Sequence, residues 1–101
     1  MGSKRTHKAS CSGGTPANEL AFTGRCFFQG FLLGTDGTND PTITVYDNIA
    51  SSGREIVPTT TYDASALGLN GAMIAVELEC NYGIFVDITC AGACEVVVIY
   101  G

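Results

Sequence analysis

The sequence has little of what most enzymes need. Only 15% of its 101 residues are charged, it has a single histidine, and it has no tryptophan. A Ser–His–Asp or Cys–His arrangement needs a histidine held by a rigid scaffold, and His7 lies in a polar N-terminal segment. No glycine-rich phosphate-binding motif is present. We therefore predict that the chain is not an enzyme and needs no cofactor.

Positive charge is scarce and is concentrated near the N-terminus. The chain has five Lys and Arg residues against ten Asp and Glu residues, which gives a net charge of −5. An acidic body binds phosphate groups poorly, so we expect no nucleic-acid partner. A basic tip on an acidic body could instead contact acidic groups on a protein. We predict that Lys4, Arg5, His7 and Lys8 bind a protein partner.

Long apolar runs are also absent. None approaches the roughly 18 residues that a membrane-spanning helix needs. No apolar segment of the secretory type follows the basic start "MGSKRTHKAS". We expect no membrane association and synthesis in a cytoplasm. The lack of tryptophan weakens the case for a sugar-stacking site, although the four tyrosines could supply one.

Metal-binding patterns are weak. The C-x3-C spacing of Cys90 and Cys94 does not match a zinc site, and no histidine is near. The acidic turn "TDGTND" lacks the calcium-loop pattern, so Asp36, Asn39 and Asp40 are interpreted as turn residues. We predict no metal.

The five cysteines, an odd number without an export signal, favour reduced thiols. The segment Ala91–Ala93 fits a three-residue hairpin loop with Gly92 at positive φ. Such a hairpin would place Cys90 opposite Cys94. A disulfide between them is therefore an alternative, although we expect the fold not to depend on it.

Short strands separated by turn residues dominate from residue 21 onwards. "RCFFQGFLLG" is typical of a buried strand with a bulge or a close backbone approach at Gly30. "TITVYD" alternates, with Ile43 and Val45 on one face, and "REIVP" predicts a short strand that ends at Pro58. No segment longer than ten residues shows a helical period. Three strands close the chain, at 72–80, 82–90 and 94–100, after a connection at 59–71 with room for a short strand or a helical turn.

This pattern predicts an all-β fold: a single small antiparallel β-sandwich or a jelly-roll-like barrel. Residues 1–20 are polar and have few large apolar side chains. They are interpreted as an extended N-terminal arm, and residues 21–101 as the β-sandwich domain. A segment of this kind cannot bury enough surface to order itself. We expect it to dock on neighbouring chains.

Three stretches resemble a family of short proteins encoded among the structural genes of tailed bacteriophages. They are a "GFLLG" strand, the segment "PTITVYDNIASSG" with an "IVP" strand after it, and "GIFVDI" followed by a tight turn and "VVVIY". Together they span about residues 28–101. The resemblance implies a small β-sandwich that takes part in the virion, and it supplies no catalytic residues.

The function favoured at this stage is that of a non-enzymatic virion structural protein. We expect a capsid decoration or cement subunit that docks by its arm and oligomerises through the sandwich, with a trimer favoured. Its partners would be the major capsid protein or neck and tail proteins. The alternatives are a neck, spike or tail component, or a carbohydrate-binding module for host-surface glycans.

Overall fold

The computed structural model describes residues 4–12, 15–67 and 72–101. These residues form eight strands and one short helix. In chain order they are β1 (Arg5–Cys11), β2 (Ala17–Thr23), β3 (Cys26–Thr35), β4 (Thr42–Asp47), β5 (Arg54–Thr61), α1 (Ala64–Leu67), β6 (Ala72–Cys80), β7 (Gly83–Thr89) and β8 (Cys94–Tyr100).

The strands form two four-stranded sheets that pack together. The first sheet has the order β1-β8-β3-β6 and the second has the order β2-β7-β4-β5. Every paired strand is antiparallel. The chain passes between the sheets at almost every connection, which is the topology of an eight-stranded jelly roll. The all-β prediction is confirmed.

The core lies between the two sheets and consists of side chains at alternate strand positions. Successive residues of a strand point to opposite faces, so one row per strand faces inward. Each large apolar side chain that is fully buried contributes about 1.5–3 kcal/mol relative to exposure. The largest fully buried side chains include Phe28, Phe31, Leu33, Ile43, Val45, Ile84, Val86, Ile88, Val96 and Val98.

The predicted irregularity at Gly30 is confirmed. The pairing of β3 with β6 shifts between Phe28 and Gly30. Gly30 has a φ of 146°, and a Cβ atom there would collide with the carbonyl oxygen of Ile74. On the opposite strand, Glu77 has a φ of 59°, which is rare for a residue with a side chain. The two strands therefore form a bulge that only glycine permits at this position.

The structure differs from the prediction of an N-terminal arm over residues 1–20. Strand β1 pairs along its length with β8, from Arg5 opposite Tyr100 to Cys11 opposite Cys94. Strand β2 pairs with β7. Residues 1–3 and 13–14 of the predicted arm lie outside the described residues.

The polar composition was misleading because β1 is an edge strand. Such a strand needs only a short inward row of apolar side chains. Ala9 and Cys11 supply that row, and the residues between and before them are mainly exposed.

Two turn predictions are wrong. Strand β5 does not end at Pro58 but continues to Thr61. It is an edge strand with an irregular register, where a missing N–H is tolerated. Strands β7 and β8 belong to different sheets, so the segment between them is a crossover and not a hairpin. Gly92 does not adopt a positive φ. A glycine is nevertheless required at position 92, because a Cβ atom there would collide with the side chains of Asp36 and Asn39.

The connection at 59–71 begins as the end of β5 and then forms the one-turn helix α1, which is one of the two alternatives that the sequence left open. Residues 68–71 of this connection lie outside the described residues. No helix in the described parts of the chain is long and apolar enough to cross a membrane.

Candidate interaction surfaces

The outward-facing side of the first sheet is apolar. Leu32 on β3 lies between Met73 on β6 and Val97 on β8. In the next row, Gly30 lies between Ala75 and Ile99. We call this surface the apolar outer face and define it by Phe27, Leu32, Met73, Ala75, Val97 and Ile99. The first sheet therefore has apolar side chains on both faces.

The side chains of the apolar outer face are substantially exposed. Leu32 is 45% exposed, Met73 is 49% and Phe27 is 40%. An antiparallel sheet with one solvated face normally shows polar residues there. A contiguous apolar patch with a polar rim is instead typical of a protein interaction site.

The rim of the apolar outer face carries both signs of charge. On the β1 side, Lys8 Nζ lies 3.4 Å from Glu95 Oε2. On the β6 side, Arg25 Nη2 lies 3.9 Å from Glu79 Oε2. These exposed pairs contribute little to the stability of the fold. A mixed rim of this kind can match a second copy of itself, since each sign finds its opposite on the partner.

The outward-facing side of the second sheet is polar along the threonine rows of β4 and β5, although Leu20 on β2 is 41% exposed there opposite Phe85. Thr42 and Thr61 join β4 to β5 through a 2.8 Å hydroxyl hydrogen bond, and Thr44 and Thr59 form another of 2.8 Å. The side chain of Thr44 is buried beside Thr59. The hydroxyl groups of these four threonines therefore already have hydrogen-bond partners within the chain. The first sheet carries more exposed apolar side chains on its outer face than the second, and it is therefore the surface better suited to burial by a partner.

A depression of about 300 Å³ lies at one end of the sandwich. It is bounded by the loop between β4 and β5 and by the turn between β6 and β7. Tyr82 in that turn is 66% exposed, which makes it the most exposed large hydrophobic side chain among the described residues. The depression is lined by Asp47, Asn48, Gly53, Arg54, Asn81 and Tyr82.

Asp47 fixes the turn that carries Tyr82. Its buried carboxylate accepts backbone N–H groups from Asn81 at 3.0 Å, Tyr82 at 2.9 Å and Gly83 at 3.4 Å. Arg54 Nη1 lies 3.9 Å from Asp47 Oδ2. Burial by itself raises the pKa of Asp47, but these N–H groups and Arg54 outweigh it and hold the pKa below its ordinary value. The carboxylate is therefore a fixed, ionised part of the turn.

The predicted N-terminal site residues are brought onto β1, where most of them contact their own chain. Lys4 is exposed immediately before β1. Arg5 and His7 lie on the inward row at the open edge of the sandwich, and Lys8 lies on the rim described above. Their role in binding a partner remains a prediction.

The contacts of Arg5 and His7, the two inward basic residues, close the edge of the sandwich. The guanidinium of Arg5 lies 4.7 Å from the ring centre of Phe22 and 5.1 Å from that of Tyr100. His7 Nε2 lies 3.0 Å from Glu19 Oε1. The sequence did not reveal these contacts because the partners lie on other strands: Phe22 and Glu19 on β2 in the second sheet, and Tyr100 on β8 beside β1.

The acidic side chains of the loop after β3 accept hydrogen bonds from backbone N–H groups. Asp36 accepts the backbone N–H of Asn39 at 2.8 Å, the Asn39 amide at 2.7 Å and the backbone N–H of Thr38 at 2.9 Å. These bonds lower the pKa of Asp36 to about 2. Asp40 accepts the N–H of Ala64 at 2.9 Å. Over residues 4–12, 15–67 and 72–101, no three ligating side chains are grouped to hold a metal ion.

The five cysteines are free thiols, and all are buried. They form two groups. Cys26 and Cys80 face each other on β3 and β6. Cys11 and Cys94 face each other on β1 and β8, and Cys90 lies beside them. The pairing of Cys26 with Cys80 and of Cys11 with Cys94 was not predicted, because the paired residues are far apart along the chain.

Comparisons with known proteins add a structural similarity. No protein-family model and no curated protein matches the chain. Among solved structures, the chain is similar to the crystal structure of the infectious bursal disease virus VP2 subviral particle, with 13% identity and a TM-score of 0.30. The match covers 96% of this chain and 32% of the other, so this chain spans about a third of its length. A TM-score of this size carries no argument about function.

Proposed function

We propose that this chain is a non-enzymatic structural subunit of a phage particle, a capsid decoration or cement protein. It assembles as a homo-oligomer, for which a trimer is favoured, and attaches to the major capsid protein. The observation that carries the proposal is the apolar outer face on a jelly-roll fold.

The fold supports a structural role in a particle. Eight-stranded jelly rolls occur in viral capsid proteins, in lectin domains and in cupins. A cupin enzyme would need a metal or catalytic group, and the described residues offer no cluster of ligands. The resemblance of residues 28–101 to short structural proteins of tailed phages favours the capsid member of this set.

The apolar outer face supports self-assembly. Burying apolar surface contributes about 25 cal/mol per Å², and complete burial of one large side chain contributes about 1.5–3 kcal/mol. Leu32, Met73 and Phe27 are already partly covered, so each has about half of that to gain. Association must overcome roughly 4–15 kcal/mol of lost rigid-body freedom. A single such contact is therefore marginal, whereas a closed ring gives each subunit two.

The proposal is tested on purified virus particles. Peptides of this chain should be present in multiple copies per particle, and density for it should lie at icosahedral three-fold sites. A Leu32→Glu variant should fail to join the particle, whereas Thr89→Glu on the exposed side of the second sheet should join it normally. Absence of the chain from particles would contradict the proposal. Location in a single ring at the neck or tail would favour the neck, spike or tail alternative.

A second candidate function, a glycan-binding module, is favoured by the exposed ring of Tyr82 beside the depression. Aromatic faces stack on sugar rings, and the side chains of Asn48, Asn81 and Arg54 could bind hydroxyl groups. Under this alternative, a glycan array should show binding that is lost in Tyr82→Ala and kept in Tyr46→Phe. No hits on the array would dismiss the alternative, and a decoration protein is expected to give none.

A further inference from the structure

We infer that the chain carries two sites of covalent cross-linking, Cys26–Cys80 and Cys11–Cys94, which close as disulfides when an oxidant is supplied. This inference does not depend on the proposed function.

The first ground is the register of the strands. Cys26 is the direct partner of Cys80 across β3 and β6, and Cys11 is the direct partner of Cys94 across β1 and β8. Directly opposed residues of antiparallel strands have Cα atoms about 4.5–5.5 Å apart. A disulfide tolerates Cα spacings of roughly 4.4–6.8 Å. Both pairs therefore have suitable backbone spacing without movement of the strands.

The second ground is the placement of the thiols themselves. All four side chains face the core and are buried, so the members of each pair have few alternative directions. Within each pair the two thiols perturb each other electrostatically, Cys26 with Cys80 and Cys11 with Cys94. The side chains of each pair therefore lie near each other in the core.

The third ground is where the two pairs lie in the fold. The first sheet has the order β1-β8-β3-β6, so β1 and β6 are its two edge strands. Cys11–Cys94 joins the edge strand β1 to β8, and Cys26–Cys80 joins the edge strand β6 to β3. Edge strands are the parts of a sheet that open first, because only one neighbour holds them. The two disulfides would therefore cross-link both edges of one sheet.

Cys90 is the cysteine left over. It lies outside the strands, and its thiol donates a 3.6 Å hydrogen bond to the backbone carbonyl of Asn39. The Cys94 thiol also contacts Cys90, so a Cys90–Cys94 disulfide is the competing product at this end. Register and the cross-link to an edge strand favour Cys11 as the partner of Cys94. The odd number of cysteines thus resolves into two pairs and one thiol that stays reduced.

The chemistry requires a disulfide oxidant such as oxidised glutathione. One protein thiolate attacks the oxidant, forms a mixed disulfide and releases one glutathione. The second protein thiol attacks the mixed disulfide, closes the protein disulfide and releases the second glutathione. Two electrons leave the protein for each bridge, and the two thiol protons are taken up by the released glutathione molecules.

Burial makes the reaction slow in the folded state. It raises the pKa of Cys80 and of Cys94 to about 12, so little thiolate is present at neutral pH. Oxidation must therefore await local opening of an edge strand. Urea concentrations below the unfolding transition should accelerate it, because they increase that opening.

The test is disulfide mapping of the full chain before and after incubation with oxidised glutathione. We expect linked peptides for Cys26–Cys80 and Cys11–Cys94, with Cys90 recovered as an alkylated thiol. The oxidised protein should show a Tm higher by about 10 °C or more, and dithiothreitol should reverse the shift. Cys90→Ser is the matched control and should form both bridges. Cys80→Ala should lose one bridge and part of the shift.

Two results would overturn the inference. One is the recovery of five alkylated thiols with no change in Tm after prolonged oxidation. The other is a major product in which Cys90 is bridged. Because mapping of the unaltered chain decides both, the test does not rely on any variant folding.

Discussion

Replacing Asp47, the last residue of β4, with alanine should destabilise the fold more than replacing any acid of the loops. The Asp47 carboxylate is almost completely buried and accepts the backbone N–H groups of Asn81, Tyr82 and Gly83. Alanine would leave three N–H groups without that acceptor. An unsatisfied buried donor costs about 1–3 kcal/mol. Two of these three groups are only partly buried, so water would recover part of the loss. We expect the free energy of unfolding to fall by about 2–4 kcal/mol.

The matched control for this variant is Asp40→Ala. The Asp40 carboxylate likewise accepts a hydrogen bond from a segment that is distant along the chain. It accepts only one N–H group, that of Ala64. We expect it to lower the free energy of unfolding by about 1 kcal/mol. Asp47→Asn should fall between the two, since it keeps one acceptor oxygen. Urea unfolding measures all three, and an unchanged slope with denaturant shows that the folded and unfolded states are comparable. An Asp47→Ala variant no less stable than Asp40→Ala would refute the reasoning.

Three further predictions follow from the fold. Gly30→Ala should lower the free energy of unfolding by about 1–3 kcal/mol, because the new methyl group collides with the carbonyl of Ile74; urea unfolding would show no change if the bulge can relax. Asp36 has a folded-state pKa of about 2, lowered from 3.8, so its contribution to stability should be complete above about pH 4 and lost as the pH falls towards 2; Asp36→Ala should flatten that part of the pH profile of the urea midpoint. Deletion of residues 1–12 removes β1 and should abolish the near-UV circular dichroism of a packed core, and a folded truncated protein would contradict the structural role of β1.

The inner strands could be predicted from the sequence because each carries its own signal. Alternation in "TITVYD" identified β4, with Ile43 and Val45 inward. The glycine within the apolar run of β3 indicated the bulge at Gly30. These features depend on residues that are neighbours along the chain. The number of strands after residue 21 and the all-β class followed from them.

The edge strand β1 could not be recognised because it lacks such a signal. Its inward row includes Arg5 and His7, which are polar and are accommodated by aromatic rings and by Glu19 across the sheets. Composition alone therefore indicated an arm. The strand becomes evident only once its partner β8 is known.

The candidate sites depend on contacts that are distant in sequence. The apolar outer face needs the register that aligns Leu32 with Met73 and Val97. The turn that carries Tyr82 is held by hydrogen bonds to Asp47, which lies on strand β4. The predicted hairpin between Cys90 and Cys94 was wrong because a short loop can also cross between sheets. Spacing along the chain does not distinguish the two arrangements.

The most direct test of the central claim is the oligomeric state of the purified chain. Sedimentation velocity over a range of concentrations should compare the unaltered chain, Leu32→Glu on the apolar outer face and Thr89→Glu on the second sheet. The account predicts that the unaltered chain and Thr89→Glu form the same closed oligomer, whereas Leu32→Glu remains a folded monomer. A monomeric unaltered chain at every concentration, or assembly of Leu32→Glu equal to that of the unaltered chain, would contradict it.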